Sequence, residues 1–384
     1  MTYFLKYLFF IFSLYQVSLT FFLSLFIHVV NFFKRTENIK QVTILRTEPT
    51  LGDLVIGKFF VEEITNKFVG YKINIICCNL QFDLVKNIYI HPNISVYPID
   101  FDMRKNGLLN LLISPFILFF LFVKKLNFLY SSTYLYFPRC DVDRYTPLLF
   151  GFFSLNTIKV KFSSKIFKNK NQSEFGFDFF ASKNILLSNE ELSMHEASKE
   201  LILLDIFDKS LSFSAHSSKD NTDKEHQCII LVGASDEKRK WPIENYISLA
   251  EVLSNKYKIR CTFLFGRDEK IINKNALSNF SVIGPMDSII TYNDILPKFD
   301  LAIGNDSGLL HFASMFVAKT ICISPHAKSF DPCHPNSPER FKPLSSDSVV
   351  IRPLHGLGEC SSFCTSNKPH CICQLTVQDV LVEL

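Results

Sequence analysis

Three short stretches of this 384-residue chain hold residues whose types and spacing suit chemistry on a phosphorylated substrate. The first, Arg46-Thr-Glu-Pro-Thr-Leu-Gly-Asp53, precedes an apolar helical pattern. Gly52 permits a tight turn and puts Asp53 at or near a helix N-terminus. A carboxylate there is either a plain cap or, aimed at a ligand, a general base. The second, Gly233-Ala-Ser-Asp-Glu-Lys-Arg-Lys-Trp241-Pro242, leaves a strand through small residues and carries three adjacent cations. It enters a helix with Pro242 at the first helical position. A basic triplet alone is a solvated loop; beside backbone N–H groups it suits a diphosphate. The third, Gly304-Asn-Asp306-Ser307-Gly308-Leu-Leu-His311, is again strand, glycine turn and helix. Ser307 and Gly308 present N–H groups to a phosphate there, and His311 lies one turn further on the same face. One nearby pattern is excluded. Gly52 to Lys58 matches a phosphate-binding P-loop except that Phe59 stands where a magnesium-ligating hydroxyl is needed, and Leu54–Ile56 reads as packed helix.

The elements that must position these loops alternate regularly after residue 40. Val42–Leu45 reads as a strand, Leu54–Phe68 as a helix and Lys72–Cys77 as a strand. Later come strand Cys228–Val232, helix Ile243–Lys256, strand Cys261–Phe265 and helix Ile289–Lys298. Strand Leu301–Ile303, helix Leu309–Phe316 and strand Thr320–Ile323 follow. Such alternation predicts an α/β chain with helix-covered parallel sheets. The polar stretch 211–227 reads as a linker. It separates a domain over 41–210 from one over 228–355, with a Cys-rich tail and terminal helix over 356–384. Two doubly wound halves place ligands in a cleft, at the carboxyl ends of strands, where all three loops fall.

Composition bounds the rest. With 47% hydrophobic residues, 20% charged and a mean hydropathy of +0.15, the chain is not disordered. A net charge of +4 does not indicate nucleic-acid binding. Much of the excess apolarity lies at the front, in Leu8 to Phe33, with Lys34, Arg35 and Lys40 following and Lys6 ahead. Residues 1–40 therefore read as a membrane-associated helix that anchors the chain, its apolar run long enough to cross the hydrocarbon core, with the bulk of the chain on the cytoplasmic side. An interfacial helix and a cleaved signal are the alternatives; the run exceeds a usual signal core and lacks a small-x-small cleavage site. A second run, Leu108–Val123, is bracketed by Arg104, Lys105, Lys124 and Lys125 and contains Pro115. It reads either as a core-facing helix or as a monotopic patch.

Seven of the eleven cysteines are scattered. The other four form Cys360-x3-Cys364-x6-Cys371-x-Cys373, beside His355 and His370. The first pair has zinc-site spacing, but Cys371-x-Cys373 is too close, so packing and loop ordering is the reading and no metal is assigned.

Three pieces taken together carry a resemblance. They are Ile-Leu-Arg followed by Leu-Gly-Asp53; Gly-Ala-Ser followed by Trp-Pro; and Gly-Asn-Asp306-Ser-Gly-Leu-Leu-His311-Phe-Ala. From about Val42 onward the chain resembles the heptosyltransferase-type glycosyltransferases of family 9, which act in lipopolysaccharide core synthesis. The resemblance implies a GT-B fold, two Rossmann-like domains facing a cleft, here with an N-terminal apolar helix added. It implies inversion at the anomeric carbon without an essential metal or other cofactor. Asp53 would be the base that takes the acceptor proton. Ser235, Asp306, Ser307, Gly308 and His311 would hold the nucleotide diphosphate. The family's diphosphate-binding lysine sits two residues before the tryptophan, where this chain has Arg239, flanked by Lys238 and Lys240; which cation serves stays open. Asp268 and Glu269 both fit the ribose-binding acid, with Glu269 preferred. Two Asp-x-Asp pairs, Asp100-Phe-Asp102 and Asp141-Val-Asp143, hint at a metal-dependent transferase of another fold, but the strand pattern places neither as a nucleotide–metal site.

The expected function is transfer of a sugar, heptose from ADP-heptose, to a lipopolysaccharide or lipid-linked core oligosaccharide at the cytoplasmic face of the inner membrane. The expected partners are that donor, that acceptor and the membrane, without nucleic acid. The alternatives are the same fold with another nucleotide sugar and a catalytically silent membrane-associated scaffold.

Overall fold

The computed structural model describes residues 2–32, 40–47, 50–99, 108–139, 146–163, 178–207, 210–213, 226–266, 275–285, 289–334 and 336–384. The helices run in order α1 (Thr2–Phe32), α2 (Leu51–Ile56), α3 (Lys58–Lys67), α4 (Phe82–Ile88), α5 (Leu108–Leu121) and α6 (Asn189–Ser193). They continue as α7 (Glu196–Ile202), α8 (Ile243–Lys256), α9 (Gly308–Ala313), α10 (Pro338–Phe341) and α11 (Val377–Leu381). The chain forms two compact units. One comprises Met1–Pro49, Lys58–Glu191 and Lys199–Phe207; the other comprises Thr50–Gly57, Leu192–Ser198 and Asp208–Leu384.

The first unit is built on strands β1 (Gln41–Arg46), β2 (Lys72–Cys78), β3 (Ile94–Ile99), β4 (Tyr134–Phe137), β5 (Ile158–Phe162) and β6 (Lys183–Ile185). They pair in parallel in the order β3-β2-β1-β4-β5-β6. Every residue of β1 is buried, as expected for a central parallel strand covered on both faces. At its end the Arg46 guanidinium is fully buried against Glu200, with Nη1 donating to Oε1 at 2.9 Å and Nη2 to Oε2 at 2.5 Å. This bidentate pair ties the carboxyl end of β1 to α7.

Helix α1 lies on this unit with its polar side inward. Ser13, Gln16, Thr20, Ser24 and Asn31 are buried, whereas Phe22, Phe26, Val29 and Phe32 are exposed. Gln16 Nε2 donates to Ser114 Oγ of α5 at 3.1 Å, and Asn31 Nδ2 donates to Asn127 Oδ1 at 3.0 Å. Gly151 allows a close approach, since a Cβ there would lie 3.1 Å from Thr20 Cγ2. The second apolar run is core-facing on one side only: Ser114 and Leu118 of α5 and Phe122 just beyond it are buried, while Phe116, Phe120 and Val123 are exposed. Arg104 and Lys105, like Lys34 and Arg35, lie outside the described residues.

The second unit repeats the plan. Strands β7 (Gln227–Leu231), β8 (Arg260–Leu264), β9 (Ser281–Ile283), β10 (Leu301–Asn305), β11 (Lys319–Ile323) and β12 (Asp347–Ile351) pair in parallel as β12-β11-β10-β7-β8-β9. Read from the first strand of each unit, both sheets have the order 3-2-1-4-5-6. Both units are Rossmann-like, as the sequence predicts. The core beneath β7 and β10 includes Trp241, Tyr246, Leu249 and Phe263, and residues near the C-terminus, Ile372, Leu375 and Val380, complete it.

Two predicted helices differ from the structure. Leu54–Phe68 is two helices, because Gly57 ends α2 as its C-cap and the halves serve different units. Helix α3 buries Phe59, Phe60, Val61 and Ile64 in the first unit, while α2 packs against α9 in the second. Ile289–Lys298 is a pair of 3-10 turns, Ile289–Asp294 and Leu296–Lys298; Pro297 lacks the N–H a continuous helix requires. Pro242 lies one residue before α8, at its N-cap.

Candidate functional site

In the second unit the topological switch point falls between β7 and β10, the crevice where doubly wound sheets bind ligands. The two strands approach so closely that a Cβ on Gly304 would lie 2.7 Å from Leu231 O, leaving no room for a side chain. Asn305, fully buried at the end of β10, joins what leaves the two strands. Its Nδ2 donates to Val232 O at 2.6 Å, and its Oδ1 accepts from Trp241 N–H at 2.8 Å and Tyr246 O–H at 2.9 Å. Trp241 is pinned again by Nε1–H donation to Leu375 O at 2.9 Å and by an edge-on contact with Tyr246, 4.8 Å between centroids. The loop carrying the three cations is thereby fixed at its C-terminal end.

Those cations do not face the same way. Lys238 pairs with Asp236 at 3.3 Å and Lys240 with Glu237 at 2.5 Å, both inside their own turn. Arg239 instead reaches out of it: Nη2 donates to Asn336 Oδ1 at 2.7 Å, and Nη1 lies 3.4 Å from Asp306 O and 3.8 Å from Asp306 Oδ2. Ser235 is exposed on the same loop.

Asp306 is buried, with Oδ1 3.6 Å from His311 Nε2. Burial opposes its ionisation, but the His311 contact and the nearby Arg239 charge outweigh burial and hold its carboxyl below the ordinary value. Ser307 caps α9, its Oγ accepting from Leu310 N–H at 3.4 Å. Gly308 and Gly52 bring α9 and α2 together: a Cβ on Gly308 would lie 3.0 Å from Leu51 Cβ, and one on Gly52 would lie 3.3 Å from His311 Cδ2. Asp53 therefore sits on the helix that touches His311. Thr50, not Asp53, is the N-cap of α2. Its hydroxyl donates to Asp53 Oδ2 at 2.6 Å and accepts from Asp53 N–H at 3.3 Å, orienting a carboxylate that is only 9% exposed. The structure thus gathers Asp53, Arg239, Asp306, Ser307, Gly308 and His311 into one unit, while Lys240 turns to Glu237. Glu269 and Asp268 lie outside the described residues, as do both Asp-x-Asp pairs.

The segment after Asn336 is held electrostatically. Arg352 grips Glu339 with Nη1–Oε2 at 3.0 Å and Nη2–Oε1 at 2.5 Å, and the Ser337 hydroxyl donates to the same carboxylate. Burial works against the charge, but these donors bring the Glu339 pKa from 4.5 down to about 2. A depressed carboxylate stabilises the folded state above its unfolded pKa and loses that contribution as pH falls through the folded value. Wild type and Glu339→Gln should therefore differ in thermal midpoint at neutral pH and converge between pH 4.5 and about 2. A constant difference across that window would refute the pairing.

Sequence reasoning passed over Asn305 and Asn336, although Asn305 lies inside a motif already singled out. Its signal was an amide between a glycine that ends a strand and an acid that begins a helix.

Two Rossmann-like units, each with a six-stranded parallel sheet, are the components of the GT-B fold class. The structure is similar to Escherichia coli heptosyltransferase WaaC with ADP (TM-score 0.57, 13% identity, covering 89% of this chain and 98% of that one). It is similar to E. coli ADP-heptose lipopolysaccharide heptosyltransferase II (0.57, 13%, 90% and 97%). It is also similar to a family 9 glycosyl transferase from Veillonella parvula (0.61, 14%, 90% and 98%). At these identities the likeness is one of fold. No curated protein matches the chain in sequence. The family model for glycosyltransferase family 9 (heptosyltransferase) matches residues 182–355 of this chain.

Proposed function

We propose that this protein is an inverting glycosyltransferase that moves a heptose from ADP-heptose to a lipopolysaccharide or lipid-linked core oligosaccharide. The observation that carries the reading is the convergence in one unit of an oriented carboxylate, Asp53, with the Arg239–Asp306–His311 set. Displacement at an anomeric carbon requires a base for the acceptor hydroxyl and charge stabilisation for the departing diphosphate. Asp53 takes the acceptor proton as the new glycosidic bond forms; the bond from the anomeric carbon to the diphosphate oxygen breaks, and its electron pair leaves on the nucleoside diphosphate. Arg239, the cation not neutralised within its own turn, meets that charge with Ser235 and the Ser307–Gly308 turn. Asp306, being anionic, does not bind phosphate but holds Arg239 and His311 in place. E. coli heptosyltransferase WaaC, solved with ADP and with ADP-2-deoxy-2-fluoro heptose, supports the choice of nucleotide.

The acceptor reading rests on α1 and α5. Their exposed phenylalanines and the cations Lys124 and Lys125 suit an apolar patch seated in a leaflet with basic groups at the headgroups. Because α1 buries its polar side on the first unit, we propose that the protein lies on the membrane as a monotopic enzyme rather than spanning it, on the cytoplasmic face that the basic residues after Phe33 favour in the sequence. Calorimetry with ADP, UDP and GDP tests the donor assignment. ADP should bind at least about tenfold more tightly than the others, and Arg239→Ala should weaken ADP by about tenfold or more. Preference for UDP or GDP would shift the reading to another nucleotide sugar, and no nucleotide binding would favour a silent scaffold.

A further inference from the structure

The four side chains Cys360, Cys364, His370 and Cys371 stand apart from the loops described above and have no part in that chemistry. They converge within the second unit, all four ligand atoms lying within 4.8 Å of one another. His370 Nδ1 is 3.7 Å from Cys360 Sγ, 4.0 Å from Cys364 Sγ and 3.5 Å from Cys371 Sγ. Zinc–sulfur bonds of about 2.3 Å and zinc–nitrogen bonds of about 2.0–2.1 Å at tetrahedral angles separate sulfur from nitrogen by about 3.6 Å. The observed spacings, 3.5–4.0 Å, bracket that value. The three sulfurs belong to a buried cluster with Ala327 and Phe330. Leu357 N–H points at Cys371 Sγ at 3.4 Å, and Thr365 Oγ1 lies 3.6 Å from Cys360 Sγ, contacts that suit anionic sulfur.

We propose that Cys360, Cys364, His370 and Cys371 form a closed tetrahedral Cys3His site for a structural Zn²⁺ ion. The donor set is soft, which selects zinc over magnesium or calcium, and four protein ligands leave no open position for catalysis. Binding exchanges the thiol protons for the metal, so three protons leave as three sulfur–zinc bonds form. His370 is the ligand that cysteine spacing alone does not reveal; Cys373 is exposed and outside the group, and His355 is also exposed.

The position gives the ion a task. A Cβ on Gly356 would fall 2.4 Å from Phe330 Cε1, so the chain turns tightly as it enters the knot. From Cys371 it passes through a 3-10 turn, Cys371–Gln374, to Leu375, whose carbonyl accepts from Trp241. Within the knot Phe363 stacks on His334 at 4.7 Å, and His334 Nδ1 accepts from the N–H of Asn336, the partner of Arg239. The zinc knot thus supports both ends of the Arg239–Trp241 segment.

Metal analysis of the full-length protein, purified without chelator, should find about one zinc per chain. Cobalt exchanged into the site should show the intense visible bands of a tetrahedral thiolate complex together with sulfur-to-cobalt charge transfer. Cys364→Ser and Cys371→Ser should lose the metal, and Cys373→Ser should keep it. Should the serine variants fail to fold, the wild-type metal content and cobalt spectrum decide alone. Metal-free protein with reactive thiols, a disulfide among these cysteines, iron in place of zinc, or zinc retained when all three cysteines are serine would each overturn the proposal.

Discussion

Asp53→Asn should lower kcat by about 10³-fold while leaving ADP affinity within about twofold. The substitution keeps the shape and the oxygen that accepts from the Thr50 hydroxyl, 2.6 Å away, and removes only the ability to take a proton. Helix α2 should persist, because Thr50 rather than Asp53 is its cap. Glycosyl transfer and ADP calorimetry on the same preparation separate the outcomes. Equal losses of activity and ADP binding would mean that the helix had moved, and activity within tenfold of wild type would end the assignment of Asp53 as base. Thr50→Val should reduce turnover more modestly, since the carboxylate survives without its hydroxyl partner.

The second large effect belongs to a residue without chemistry. Asn305→Ala strands Val232 O, Trp241 N–H and Tyr246 O–H, which the amide now satisfies in a fully buried position. A buried group left without its partner costs about 1–3 kcal/mol. Relaxation offsets part of the sum, and a net loss of about 3–4 kcal/mol should lower the thermal midpoint by roughly 10 °C. Tyr246→Phe removes one of the three contacts and should cost about 1 kcal/mol. Because Trp241 ends the loop that carries Arg239, Asn305→Ala should also weaken ADP binding, whereas Tyr246→Phe should not. A midpoint within 2 °C of wild type for Asn305→Ala would show that the amide is not the joint described here.

Much of this was legible because parallel sheets write themselves plainly. Central strands are short apolar runs, and the loops after them carry the unusual residues. Gly304 through His311 was readable as a strand, turn and helix because each residue's local role matches its type. What could not be read was pairing at a distance. Lys238, Arg239 and Lys240 are equivalent as charges, and Arg239 is singled out by Asp306 and Asn336, 67 and 97 positions along the chain. His370 is likewise a ligand only in three dimensions. The break at Gly57 is a different case: the apolar pattern continues through it, and only tertiary structure shows that α2 and α3 bury their faces in separate bodies.

Helix α1 also bears on how the protein should be handled. Hydropathy makes it look like a detachable tether, yet the stripe Ser13, Gln16, Thr20, Ser24 and Asn31 recurs at helical spacing and is the buried side. Truncation to obtain a soluble fragment would strip the floor from beneath Ser114, Leu118 and Asn127 and leave donors and greasy walls facing water together. Solubility is better sought by exchanging Phe22, Phe26, Val29 and Phe32 for polar residues, which keeps the helix as part of the first unit's interior and changes only what it shows to the outside.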